Sequence, residues 1–348
     1  MPRWNKRLLL SPHQFAPSQE DLIVVGAFNP GATILDGRIV LVVRIAEQPR
    51  EKRLGQVGLP RWEQGQVVVD WVAEDNLRWV DPRVVEMRDT GLMRLTFTSH
   101  LRVVVVEPGW ERWEEVGRWY PQGPLESYGI EDPRIGAVEQ RLLVTYVAVS
   151  PHGVASALAQ TDADLQFDRL GILFPPENKD VVIFPESVDG AYLAMHRPVN
   201  ATRFSKPEIW LANSHNLLEW GNHRPLAIPS CPWNADRVGG GCPPMVIADR
   251  FVALIHGATR PEEAGKVGRY AAALLVLDRH RPDRVLSVTP LPALAPSEPY
   301  EIDGFVPHVV FPTGWIVKDE QLHIFYGAAD THVAVASVSI DQFSLMVT

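Results

Sequence analysis

The sequence predicts an all-β fold, a β-propeller, and three observations carry that prediction. Long amphipathic helical periods are scarce, and proline is abundant, with 30 residues beside 25 glycines. The apolar runs are short and rich in Val, Ile, Leu and aromatics, which is the signature of strands. A hairpin pattern also recurs along the whole chain, and a regular long period in an all-β sequence points to propeller blades.

The strands read in order from "GRIVLVVRI", "LRVVVVE", "RLLVTYVAV", "RFVALIHGA" and "LHIFYGAAD". Helix is expected only in short pieces near the N-terminus and over residues 260–266. Each copy of the repeat joins a proline-marked lead-in, a short apolar strand, a polar turn and a second apolar strand. The copies begin at Pro30 ("NPGATILDGRIVLVVRI"), Pro82 ("DPRVVEMRDTGLMRLTFTS") and Pro133 ("DPRIGAVEQRLLVTYVAV"). They continue at Pro185 ("FPESVDGAYLAMHRP"), Pro244 ("PPMVIADRFVALIHGA") and Pro307 ("PHVVFPTGWIVKDEQLHIFYGAAD"). Successive prolines lie 52, 51, 52, 59 and 63 residues apart. A β-sandwich would turn every 8–12 residues or so without such a period.

In a propeller the innermost strands line one central channel, so equivalent positions of different copies converge there. The lead-ins carry Asn29, Asp81, Asp132, Lys179 with Asp180, and Asp303. The ends of the second strands carry Arg44, His196 with Arg197, His256 and Asp330. Charged groups scattered through the chain are therefore expected to face one pocket.

The bulk properties narrow the class. With 46% apolar residues the 348-residue chain can bury a large core, and it is read as one propeller domain over residues 1–348, its first ~20 residues an extension. A net charge of -9 argues against nucleic acid, which requires a basic face. No apolar run approaches the ~18 residues of a membrane span. The opening "MPRWNKRLLLSPHQF" offers only Leu8 to Leu10 as an apolar stretch, too short for a secretory leader. Cys231 and Cys242 have no metal-ligand spacing and are expected to be reduced thiols in a loop of a cytoplasmic protein.

Common catalytic signatures are missing from the sequence: no nucleophile elbow, no P-loop, no dinucleotide fingerprint and no H-E-x-x-H. "GGGCPP" (239–244) precedes a strand, so it reads as a tight loop beneath the pocket rather than a phosphate cradle. The histidines lack ligand spacing, and no metal is expected. What remains is "SYGIEDPRI" (127–135), where Glu131 and Asp132 repel each other and Pro133 drives Asp132 toward extended backbone. The same Asp-Pro-Arg turn recurs at 81–83, so a structural role competes with a catalytic one. A carboxylate aimed into a polar cleft suits glycoside chemistry, in which an acid protonates the departing oxygen. A hydrolase would need a second carboxylate to activate water. A phosphate nucleophile needs cations instead, and Arg44, Lys179, His196 and Arg197 would supply them.

The motifs "YGIEDPRI", "PPENKDVVIFPE", "GAYLAMHRP", "GGGCPPM", "PYEIDGFVPHVVFP" and "FYGAAD", in this order, are similar to those of the mannoside phosphorylases, glycoside hydrolase family 130. The resemblance runs from about residue 25 to the C-terminus. It implies a five-bladed β-propeller and inverting phosphorolysis of β-mannosides to α-mannose 1-phosphate, β-1,2-linked substrates being favoured. It implies that Asp132 is the single general acid, the proton passing in some members through a mannose hydroxyl. Arg44, Lys179, His196 and Arg197 would hold phosphate, and Asn29, Tyr128, His256, Asp303 and Asp330 the sugar. The partners implied are a β-mannoside and inorganic phosphate as co-substrate, with no cofactor, no nucleic acid and no membrane. Homo-oligomerisation is left open.

Two departures stand out. Six hairpins are read where the family has five blades, so one copy is split by ring closure or lies outside the regular blades. Members commonly read "GWLLIYHG" where this chain has "DRFVALIHGA", so Ile255 replaces a tyrosine and Arg250 a turn position, while His256 is retained. The rivals are a β-mannosidase on the same fold, with Glu186 or Glu301 as second carboxylate, and a propeller that only binds glycans or proteins.

Overall fold

The computed structural model describes residues 4–200, 202, 204–263 and 265–347, and these are mostly β. Three four-stranded antiparallel sheets each run strand to neighbouring strand. One holds Asn178–Ile183, Tyr192–Pro198, Trp210–Ser214 and Gly221–Pro225. The next holds Arg237–Ile247, Arg250–Ala258, Tyr270–Asp278 and Val285–Val288. The third holds Val310–Lys318, Gln321–Ala328 and His332–Ser339, and its outermost strand is Asn5–Leu10 from the other end of the chain. The segment expected to be an N-terminal extension is thus paired into the fold; residues 1–3 lie outside the described residues.

An eight-stranded sheet accounts for most of the rest. It falls into two antiparallel units, one over Leu22–Leu35, Arg38–Pro49, Thr98–Val106 and Trp113–Trp119, the other over Gly129–Val138, Arg141–Ser150, Gly153–Thr161 and Asp168–Phe174. A single parallel bridge, Gly129 with Ser99, joins them. All five of the apolar runs read as strands are strands. Core side chains fill the space between sheets: Val182 and Phe184 meet Val238, Phe251 and Ala253, all buried. Each such valine or phenylalanine removed from water is worth roughly 1.5–3 kcal/mol before entropy is counted.

Three expectations are corrected. The Pro82 copy is not a repeat hairpin: Leu77–Asp81, Val84–Met87 and Met93–Leu95 form a small separate sheet. With the hairpin Gln56–Glu63 and Gln66–Ala73, that sheet is an excursion between Arg38–Pro49 and Thr98–Val106. Pro185 marks the connection after Asn178–Ile183 rather than a lead-in. Residues 260–266 form no helix among those described. Helix does occur at Pro299–Ile302 and at Ile340–Val347, where Phe343 packs into the core.

The lead-ins share a local device. Strand register shifts between Phe28 and Gly31, between Glu131 and Arg134, and between Lys179 and Val182. Inside these bulges Asn29, Asp132 and Asp180 take φ of 48°, 49° and 59°. Asp132 is therefore left-handed, not extended as Pro133 suggested; Asn and Asp are the non-glycine residues that tolerate this region best. A bulge re-aims a side chain out of the strand's alternation, and here it turns three polar groups toward one place.

Candidate active site

That place is a cavity of about 1120 Å³, lined by Asn29, Arg44, Asp132, Lys179, Arg197, His256 and Asp330 among others. The sequence-predicted residues that converge are therefore these. Asp132 is 5% exposed, and its Oδ1 accepts hydrogen bonds from Asn29 Nδ2 at 2.8 Å and Arg44 Nη1 at 2.9 Å. Among the described residues no hydrogen bond reaches Oδ2, which leaves that oxygen to a ligand. Arg44 also donates to Glu131 Oε1 at 2.6 Å and to Ser99 Oγ at 3.1 Å, with its guanidinium 4.7 Å over the Phe28 ring. A fork fixed on all sides holds the carboxylate in one orientation. Gly327 belongs to the same cradle, because a Cβ there would collide with the Asn29 side chain.

Burial pushes the Asp132 carboxyl up, but Arg44, Lys179, Arg134 and the Asn29 hydrogen bond outweigh it and hold the group below the usual range. Lys179 Nζ stands 3.8 Å from Glu131 Oε2, beyond hydrogen-bond distance, and its side chain is 29% exposed to the cavity. Across the cavity Asp180 is a hub. It accepts from Arg134 Nη2 at 3.1 Å and Arg197 Nε at 2.6 Å, with His256 Nε2 at 3.3 Å. These cations outweigh the cost of burial and hold Asp180 well below the carboxylate range. Arg134 ties the hub to the acid, donating to the Asp132 carbonyl at 3.0 Å. Arg197, gripped through Nε, turns its other nitrogens to the cavity. Burial holds His256 below the ordinary imidazole range, Asp180 opposing.

"GGG" lies inside the strand Arg237–Ile247, not in a loop beneath the pocket. Its reason is clearance: a Cβ on Gly239 would collide with the Asp180 carboxylate and the His256 ring. Cys242 is buried in the same strand, and both cysteines are free thiols.

Three predicted residues stand elsewhere. His196 is stacked 4.3 Å from the Phe174 ring, bonded to Asn178 and His223, and does not line the cavity. Burial and the neighbouring His223 push it down to about 4, so near neutral pH it carries no charge for an anion. Tyr128 lies under the Arg94 guanidinium at 4.9 Å, outside the cavity. Asp303 is exposed at the end of the Pro299–Ile302 helix, also outside it. The candidates for a second carboxylate are committed too: Glu186 to Arg279 at 2.7 Å, and the fully buried Glu301 to Lys6 at 2.9 Å and the Tyr326 hydroxyl at 2.7 Å.

Sequence reasoning missed Arg83, Arg237 and Tyr270, which also line the cavity. Arg237 donates Nε to Asp236 at 2.7 Å and so presents its remaining nitrogens. Its signal was its place directly before the "VGGG" strand, opposite Ala258. Among the described residues no group of three His, Cys, Asp or Glu could hold a metal ion. No described helix is long and apolar enough to cross a membrane.

Comparison with known proteins finds relatives along most of the chain. The model of glycoside hydrolase family 130, described as β-1,4-mannooligosaccharide phosphorylase, matches residues 105–347. A β-1,2-mannobiose phosphorylase of Listeria innocua is 33% identical over 98% of this chain and 96% of its own length. A 1,2-β-oligomannan phosphorylase of Thermoanaerobacter is 33% identical over 61% of this chain and 68% of its own. The solved Listeria innocua β-1,2-mannobiose phosphorylase, in complex with β-1,2-mannobiose, superposes with a TM-score of 0.89 over 96% of this chain and 95% of that one.

Proposed function

The chain belongs to glycoside hydrolase family 130, and from that premise we propose that it is an inverting β-mannoside phosphorylase acting on short β-1,2-linked substrates. The observation that carries the reading is the cavity itself, where Asp132 stands with one free oxygen opposite Lys179, Arg197 and Arg237. Inorganic phosphate attacks the anomeric carbon, the glycosidic bond breaks, and Asp132 supplies the proton to the departing oxygen. One displacement inverts the anomer once, so a β-mannoside yields α-mannose 1-phosphate and a shortened acceptor.

The electrostatics give phosphate a second role. Lys179 is both a cation that holds Asp132 ionised in the open cavity and one that a phosphate dianion would pair with. The phosphate charge beside Lys179 offsets that cation and favours the proton that the acid step requires. The hydrolase reading loses support because Glu186 and Glu301 are both committed away from the cavity.

The architecture follows the same reading. Dividing the eight-stranded sheet at its Gly129–Ser99 bridge gives five four-stranded units, which we take as the blades of a five-bladed β-propeller. Pairing of Asn5–Leu10 with His332–Ser339 then closes the ring. The reading calls for phosphate as co-substrate, no cofactor, and a cytoplasmic setting consistent with two free thiols.

Arg197→Ala tests the phosphate site. Losing one charged partner of a held anion costs on the order of 2–5 kcal/mol, so the KM for phosphate is expected to rise at least tenfold. The KM for the mannoside should change less. His196→Ala, behind the Phe174 ring, should leave the phosphate KM little changed. Equal effects from both variants on initial rates over a phosphate series would place the anion elsewhere.

A further inference from the structure

The tripeptide Asp-Pro-Arg occurs twice, and the structure uses it in opposite senses. At 132–134 the aspartate faces the cavity while the arginine turns back to brace Asp180. At 81–83 the aspartate braces and the arginine faces the cavity. Asp81 takes the Arg83 backbone N–H at 2.8 Å, its Nε at 3.3 Å and its Nη2 at 3.0 Å. That grip leaves Nη1, which reaches Asp330 Oδ2 at 3.4 Å.

The brace is rigid although it lies on the small excursion. Thr96 N–H donates to the Arg83 carbonyl at 2.9 Å and Thr96 Oγ1 to the Pro82 carbonyl at 3.0 Å. Arg94 ties the same sheet to Asp70 at 2.8 Å and to the Leu59 carbonyl at 3.2 Å. Asp330 follows the strand Gln321–Ala328 with φ of 47°, after Ala329 at 49°, which turns its carboxylate into the cavity. Among the described residues Arg83 is its one side-chain hydrogen-bond partner, and the contact is long enough for a hydroxyl to compete for it.

We infer that Arg83 is a positioning residue for mannoside binding: it orients the Asp330 carboxylate as the acceptor of sugar hydroxyls in the cavity. This rests on the reading of the cavity as a β-mannoside site. The charged groups acting on Asp330 come from several elements. Arg83 and Arg44 favour its charged form, whereas burial, Asp132 and Glu131 oppose it and leave it above the ordinary carboxylate range. Without Arg83 the group rises further, so it takes up a proton at a higher pH and stops accepting a second hydroxyl there.

The test compares Arg83→Met and Arg83→Lys with the parent, using β-1,2-mannobiose and phosphate as probes. Arg83→Met is expected to raise the mannobiose KM roughly tenfold or more, the scale of one charge-assisted hydrogen bond. The phosphate KM should stay within a factor of a few, and the acid limb of kcat/KM for mannobiose should move to higher pH. Arg83→Lys should restore the limb in part, because it returns charge without the fork. An unchanged mannobiose KM and acid limb in Arg83→Met would overturn the inference, as would parallel rises in both KM values. A parent that leaves mannobiose intact with phosphate present would instead sink the β-mannoside reading. Thermal melts of the folded variants separate either outcome from loss of structure.

Discussion

Asp132→Asn is expected to lower turnover of β-1,2-mannobiose with phosphate by about 10²–10⁴-fold, the usual span of a positioned general acid. The substitution keeps the shape that Asn29 Nδ2 and Arg44 Nη1 enclose, at 2.8 and 2.9 Å in the parent. It removes the free carboxylate oxygen of Asp132 that would carry the proton. Arg44 retains Glu131 at 2.6 Å, so no cation is left without a partner and the fold should hold. Far-UV circular dichroism and a thermal melt check the fold, and initial rates check the chemistry. Near-parental turnover by a well-folded Asp132→Asn would mean that the Asp-Pro-Arg turn is there for the bulge alone.

Asp180→Ala should be the most damaging substitution to stability. It strips a buried carboxylate from Arg134 and Arg197, whose side chains are only 1% and 6% exposed. Breaking a buried ion pair from one side typically costs about 3–5 kcal/mol. Activity should fall with it, because Arg197 loses the grip on Nε that aims it and Arg134 loses part of what fixes Asp132. The parent has a matching pH dependence. Asp180 is held well below its unfolded value, so its contribution is present above roughly pH 4 and is lost as pH falls toward the folded value. Denaturant midpoints measured from pH 7 to pH 3 should drop steeply for the parent below about pH 4 and more gently for Asp180→Ala. A variant with the parent's midpoint would show that the arginines have found other partners.

Much of the fold was legible because strands announce themselves by composition. "RLLVTYVAV" and "RFVALIHGA" are buried on both faces between neighbouring sheets, so they read as unbroken apolar runs. The site was legible where a bulge leaves a mark: Asn-Pro at 29–30 and Asp-Pro at 132–133 pair a left-handed polar residue with proline.

Where no such mark exists, sequence reasoning went astray for identifiable reasons. His196 and Arg197 are adjacent on one strand, and strand alternation sends neighbouring side chains to opposite faces. Only one of the two can reach the cavity, and it is Arg197. Lys179 and Asp180 are adjacent as well, yet both line the cavity because the bulge after Lys179 breaks the alternation. Pro82 imitates the repeat, but the strands around it hold only four or five residues and bury little, which the period alone does not reveal. Arg83 went unnoticed for that reason. The pairing of Asn5–Leu10 with His332–Ser339 was hidden because a contact across more than 300 residues leaves no local trace.

The central claim is that phosphate, not water, takes the mannosyl group at this cavity. The most direct measurement is proton and phosphorus NMR of the first products from β-1,2-mannobiose, with and without inorganic phosphate, mannose and mannose 1-phosphate being followed separately. Turnover that depends on phosphate and yields equal amounts of mannose and α-mannose 1-phosphate is the predicted result. Two equivalents of free mannose, released at full rate without phosphate, would contradict it and make the protein a hydrolase.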